Sequence, residues 1–256
     1  MGKALAGGVL SGGVAGKESV RMSDVDEGKL KAIEESLGIR GIKGNPELVE
    51  WADTIILAVK PGIISSILKE IVPSLNPSKL LISIAAGITV AEIEKFTDEV
   101  PVVRAMPNTP VLVNQGVTAI TGGRFAEDLH MEKASAIFSA VGVVVNVDEQ
   151  MMDAVTAVSG SGPAYIFLMA EAMEEAGRKM NLPREIVQKL VRGTVFGSAK
   201  MLMEDGVDLR DLRMKVASPG GTTEAALDFF GKNNFKGVII GAIEEAARRS
   251  KELGSR

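Results

Sequence analysis

Two apolar runs, TIILAV at 54–59 and KLLISIAA at 79–86, decide most of what this chain can become. A strand with one wet face alternates apolar and polar residues. A run without that alternation is covered on both faces, as in a parallel strand held between two helical layers. The residues joining the two runs carry Ile63, Ile64, Ile67, Leu68 and Ile71 at spacings of three and four, which predicts a crossover helix after the Lys60-Pro61-Gly62 break. The same alternation extends either way. Short strands are predicted at 19–23, 39–43, 101–105, 117–121 and 143–147, and helices over 1–10, 27–37, 45–51, 89–96 and about 127–139. Gly38 is placed to stop one helix, and Thr89 with Glu92 three residues on is a capping box for another. This is the pattern of an α/β fold: an open, mostly parallel sheet covered by helices. Such sheets bind ligands beyond the carboxyl ends of their strands. That rule selects three turns, Ser23-Asp24, Ala58 to Pro61, and Ala85 to Gly87.

From Glu149 onward nearly everything has helical period, so a second, all-α domain is expected, with limits of 1–149 and 150–256 for the two. The join holds VTAVSGSGPAY, Val155 to Tyr165. There Ser159, Gly160, Ser161 and Gly162 permit a close bend, and Pro163 suits the first turn of a helix whose free N–H donors would attract an anion. That helix is apolar nearly all round through Met173, which predicts burial, and so much apolar helix surface in a small domain predicts at least a homodimer. The net charge of −4 comes from interspersed acids and bases, so nucleic acid is not an expected partner. With no cysteine and a single histidine, His130 on a surface helix, neither a metal site nor a histidine or cysteine catalyst is expected. No run of about 20 apolar residues suggests a membrane span, and a cytoplasmic location is expected.

A dinucleotide-binding sheet ordinarily opens with a strand and a G-x-G-x-x-G turn, followed about 20 residues later by an acid for the ribose. Gly2 stands where the third glycine would, and Asp24 lies 22 residues after it; the first strand and first two glycines do not precede it. Unpaired sheet edges and weak nucleotide binding are therefore expected of the chain as it stands.

AVKPG (58–62), SIAAGIT (83–89), RAMPNTP (104–110), VTAVSGSGPAY (155–165) and ASPGGTTEAAL (217–227) together resemble the pyrroline-5-carboxylate reductases along nearly the whole chain. The resemblance implies a Rossmann-type domain followed by a helical dimerisation domain, in some members a ring of dimers. It implies reduction of 1-pyrroline-5-carboxylate, a small cyclic imino acid, to L-proline by hydride from NADPH or NADH, the last step of proline synthesis. By position it implies cofactor contacts from Gly2, Ser23, Asp24, Asn45, Ala58, Val59, Lys60, Pro61, Ala85, Ala86 and Gly87. Asp24 leans toward NADH, while Arg21 and Lys29 nearby leave NADPH open. Ser218, Gly220, Gly221, Thr222 and Thr223 would form a nest for the substrate carboxylate, with the threonines capping the following helix. Thr223 is the family's substrate hydrogen-bonding position. Ser159, Ser161 and Gly162 would form an opposing wall, and Thr156 would face the ring nitrogen.

The residues suit that chemistry. A cyclic imine can be protonated near neutral pH, so hydride addition needs no strong enzymic acid, and catalysis becomes largely positioning. Two alternatives remain. β-Hydroxyacid dehydrogenases share the two-domain plan but place a catalytic lysine four residues after the second glycine of a comparable turn, where this chain has Ile166. A non-catalytic oligomeric binding protein is the other.

Overall fold

The computed structural model describes residues 1–204 and 206–254. The elements in order are α1 (Gly2–Ser11), β1 (Arg21–Met22), α2 (Glu27–Leu37), β2 (Arg40–Gly41), α3 (Asn45–Trp51), β3 (Thr54–Leu57), α4 (Ile64–Ile71), β4 (Leu80–Ser83), α5 (Val90–Thr97), β5 (Val102–Pro107), β6 (Gly116–Gly122), α6 (Asp128–Ser139) and β7 (Gly142–Asn146). All-helical chain follows: α7 (Met152–Val155), a π turn (Thr156–Gly160), α8 (Gly162–Lys179), α9 (Arg184–Leu202), α10 (Leu209–Val216), α11 (Thr222–Lys232) and α12 (Phe235–Gly254).

The sheet comes in two pieces. β1 and β2 form a parallel pair, and the other five strands lie in sequence order, parallel except where β6 runs antiparallel to β5. β4 is buried at all four positions, as its unalternated sequence requires. Its pleat divides the core: Leu81 faces Val49, Leu68 and Ile93 of α3 to α5, while Leu80 and Ile82 face Leu5 of α1 and Phe138 of α6. Each such fully buried aliphatic contributes about 2 kcal/mol of transfer free energy. Buried Lys79 is explained by its Nζ, which donates to the Ala52 and Glu50 carbonyls at 2.7 and 3.2 Å, satisfying the C-terminal end of α3.

Helix ends follow the sequence closely. Gly38 ends α2 at φ 68°, and the Thr89–Glu92 capping box is formed, with hydrogen bonds of 3.2 and 2.9 Å. His130 does more than meet solvent: its Nδ1 accepts the Glu127 N–H at 3.0 Å and closes the start of α6.

The contacts divide the chain into two compact units, 1–161 with 245–256, and 162–244. Against the expected limit at 149/150, the division falls after the π turn, because that turn packs on β5, and the end of α12 returns to the first unit, where Ser250 Oγ donates to Asp153 Oδ1 at 2.6 Å. The helical unit has almost no interior of its own. Between 162 and 244 only Gly177, Val187 and Val191 are buried among the described residues. The α8 surface expected to be buried is exposed in the single chain: Phe167 is 66% accessible, and Phe196 on α9 is 64%.

Candidate active site

Three of the sequence-selected turns lie at the carboxyl ends of parallel strands in the first unit: Ser23-Asp24 after β1, Ala58 to Pro61 after β3, and Ala85 to Gly87 after β4. The start of α1 meets two of these ends. A Cβ on Gly2 would stand 3.2 Å from Ala58 Cβ and 3.5 Å from Met22 Cε, so the backbone approaches the strand ends as closely as glycine allows. α1 has no side-chain cap. Its first N–H groups are thus unclaimed at the place where the sheet is interrupted, an arrangement suited to a pyrophosphate. Gly87 is buried at φ 77°, and a Cβ there would lie 3.1 Å from Leu253 Cβ, so the last turn of α12 backs the Ala85–Gly87 turn. These observations fit a dinucleotide.

Other expected cofactor residues have local duties. Asn45 begins α3, and its Nδ2 donates to Glu70 Oε2 at 3.1 Å. The Asp24 carboxylate accepts the Asp26 N–H at 2.9 Å. Asp26 caps α2, and the hydrogen bond from the Lys29 N–H holds its carboxyl below the usual carboxylate range. Glu27 is lowered likewise by its hydrogen bond with Lys43. The two cations expected to favour a 2′-phosphate are engaged: Arg21 stacks on Trp51 at 4.0 Å, and Lys29 pairs with Asp26 at 3.4 Å.

The join at 155–165 is not the capped turn the sequence suggests. Residues 156–160 form a π turn in which the Ser161 N–H donates to the Thr156 carbonyl at 2.8 Å, and a bend at Ser161 leads into α8. A π turn absorbs one extra residue; α8 then starts at Gly162 with Pro163 in its first turn, as expected, and the hydroxyls of the π turn lie just before it. Such turns recur at functional sites. β5 organises this one. A Cβ on Gly160 would lie 2.8 Å from Met106 Cε, Asn108 Nδ2 donates to Ser159 Oγ at 3.2 Å, and Arg104 pairs with Glu149 at 2.6 Å. Thr156 Oγ1 donates to the Met152 carbonyl at 2.8 Å, so its lone pairs are what it can offer. Arg104, Asn108 and Glu149 were not among the expected site residues. Their signal was a cation inside the apolar strand VVRAM.

In the helical unit, Ser218 to Thr223 forms a turn with Gly220 at φ 70°, closed by the Gly221 N–H on the Ser218 carbonyl at 3.0 Å. The expected threonine cap is not formed. Gly221 is the N-cap of α11, with no side-chain cap bond, and Thr222 and Thr223 are its first helical residues. Glu224 supplies the closure instead, its carboxylate accepting the Gly220 N–H at 2.6 Å. A backbone donor of this nest therefore already holds a carboxylate.

An interrupted parallel sheet with an uncapped helix start at the break, followed by a helical unit with little core of its own, is the plan of a two-domain dinucleotide-binding protein. Comparison with known proteins sharpens this. Residues 149–253 match the family model described as pyrroline-5-carboxylate reductase dimerisation, and residues 1–87 match that described as NADP oxidoreductase, coenzyme F420-dependent. The pyrroline-5-carboxylate reductase of Pseudomonas aeruginosa is 39% identical over 255 residues, covering 99% of this chain and 93% of that protein. Among solved structures, the pyrroline carboxylate reductase of Plasmodium falciparum with NADP bound superposes with a TM-score of 0.90 at 34% identity, covering 99% of this chain and 94% of that one. The reductase of Coxiella burnetii gives 0.91 at 34%, covering 98% and 94%. The chain belongs to the pyrroline-5-carboxylate reductase family.

Proposed function

We propose that the protein reduces 1-pyrroline-5-carboxylate to L-proline with NADPH or NADH, the last step of proline biosynthesis, in the cytoplasm. What carries this reading is the family: a relative that holds that activity by name is 39% identical over 99% of this chain, and the substrate carboxylate would take the Gly220 N–H from Glu224, which holds it in this structure. Gly2, Ser23, Asp24, Asn45, Ala58 to Pro61 and Ala85 to Gly87 hold the dinucleotide, which supplies the hydride when bound. Ser218, Gly220, Gly221, Thr222 and Thr223 hold the substrate carboxylate, and Ser159, Ser161 and Gly162 shape the surroundings of the ring. Thr156 offers a lone pair to the protonated ring nitrogen. The hydride adds to the electrophilic carbon of the C=N bond, the π electrons become the nitrogen lone pair, and the proton already on nitrogen stays there. No acid need be supplied, and no lysine stands at Ile166 to act as base for an alcohol.

The division of labour follows 1–149 for the dinucleotide and 150–256 for substrate and dimerisation, in keeping with the dimerisation match over 149–253. A second copy covers the bare faces of α8 and α9, and dimers assemble further into a ring; neither nucleic acid nor membrane is a partner. Light scattering at micromolar concentration is expected to give a mass above that of a dimer, and a monomeric mass contradicts the assembly.

The assay is oxidation of NADPH and NADH with 1-pyrroline-5-carboxylate. Thr223→Val removes a hydroxyl that α11 does not use for capping, so the fold should persist. KM for the imine is expected to rise about tenfold, the scale of one lost hydrogen bond to a charged group. Absence of turnover with either cofactor rejects the function; unchanged KM rejects the role of Thr223.

A further inference from the structure

Asn108 is buried just beyond β5, and both ends of its amide are engaged. Oδ1 accepts the Val117 N–H at 2.9 Å, and Nδ2 donates to Ser159 Oγ at 3.2 Å. The orientation is dictated by chemistry. A backbone N–H can only donate, so the atom facing Val117 is oxygen and the atom facing Ser159 is the NH2 group. The consequence falls on Ser159. Its hydroxyl has two lone pairs and one hydrogen; the amide occupies a lone pair, and among the described residues no acceptor takes the hydrogen. Thr156, on the same π turn, has the opposite polarity, because its hydrogen is committed to the Met152 carbonyl. One turn thus presents an acceptor and a donor. A protonated cyclic imine with a carboxylate on the carbon next to nitrogen presents the complement, an N–H donor beside an anionic acceptor.

We propose that Asn108 is a positioning residue that fixes the Ser159 hydroxyl as a hydrogen-bond donor toward the substrate carboxylate, and so favours the carboxylated imine over one lacking the carboxyl group. This rests on the assignment of the π turn to substrate binding. Asn108 acts only through Ser159. Aspartate at 108 keeps an oxygen for the Val117 N–H but turns a second oxygen on Ser159, drawing the hydroxyl hydrogen inward and leaving lone pairs toward the carboxylate.

The test is steady-state kinetics with 1-pyrroline-5-carboxylate and with 1-pyrroline, for the wild type, Asn108→Asp, Ser159→Ala and the double variant, with melting temperatures alongside. In Asn108→Asp the KM for the carboxylated imine is expected to rise about tenfold, more than any change in kcat, and the ratio of kcat/KM between the two substrates to fall by a similar factor. In the Ser159→Ala background the same substitution should change that ratio less than about twofold, because the group it acts through is gone. A folded Asn108→Asp with an unchanged ratio overturns the role, as does an equal fall without Ser159, which would mark a through-space charge effect. Asn108→Ser is the second variant, without charge and with no donor reaching Ser159, and decides the matter if aspartate prevents folding: a lowered ratio supports the role, an unchanged one overturns it. A lowered ratio in Ser159→Ala beside an unchanged one in both Asn108 variants rejects Asn108 alone. An unchanged ratio in Ser159→Ala rejects the substrate assignment of the turn.

Discussion

Glu149→Ala is expected to lower the free energy of unfolding by about 3 kcal/mol, the lower end of the cost of orphaning a buried charge. Arg104 sits inside β5 with its side chain 3% exposed, and its guanidinium meets Glu149 at 2.6 Å; Glu149 is itself one-third exposed, which is why the lower end applies. Removing the acid leaves a cation with no counter-charge in a strand whose neighbours are Val103 and Ala105. The pair does not serve stability as such. Arg104 Nη2 and Glu149 Oε2 are buried without a hydrogen-bond partner, so the desolvation of both groups is incompletely offset. Replacing both at once, Arg104→Met with Glu149→Leu, should therefore recover most of the loss. Urea denaturation reads both effects. A midpoint for Glu149→Ala within error of the wild type would show that the guanidinium finds another partner. What the pair does secure is location: Glu149 lies just before α7, and fixing it to β5 sets where the π turn begins.

That placement explains what could and could not be read from the residues alone. α2 is predictable to the residue because its signals are local: a first-turn acid, apolar spacing and a left-handed glycine. β4 is predictable because burial on both faces forbids alternation. The π turn at 156–160 is invisible to such rules. Serine and glycine are the residues of a bend, and what keeps them helical is contact with Met106 and Asn108, some fifty positions earlier in the chain. The same holds at Thr222 and Thr223, whose type promises a cap that is not formed, while Glu224 closes the preceding turn on the Gly220 N–H. The thin interior of the helical unit is the reverse case: the excess of apolar helix surface in a short segment already calls for a second copy, and Phe167 and Phe196 lie bare in the single chain. Residue type told which segments carry chemistry, and tertiary contact decided which atom of each side chain is left to perform it.

Thr156→Val is expected to reduce kcat/KM for the imine by one to two orders of magnitude, with the fold retained. A hydrogen bond to a charged group contributes about 1.5–3 kcal/mol, and that sets the range. Valine matches threonine in shape and removes both the lone pairs and the hydrogen bond to the Met152 carbonyl. Thr156→Ser keeps both and should stay within about threefold of the wild type, so the comparison separates loss of the acceptor from loss of the methyl group. The expected size follows from the chemistry of the chain. If the proton arrives on the substrate, the protein's task is to hold a cation in place while a hydride approaches, and a fixed lone pair does this without changing protonation state. A carboxylate in its place would bind the cation more strongly, but it would hold substrate and product ammonium alike and so slow release. A hydroxyl whose hydrogen is tied to its own helix is a weaker acceptor of fixed direction, matched to the passing charge. Equal kcat/KM for the valine variant and the wild type would remove Thr156 from the reaction and leave nitrogen recognition to Thr223.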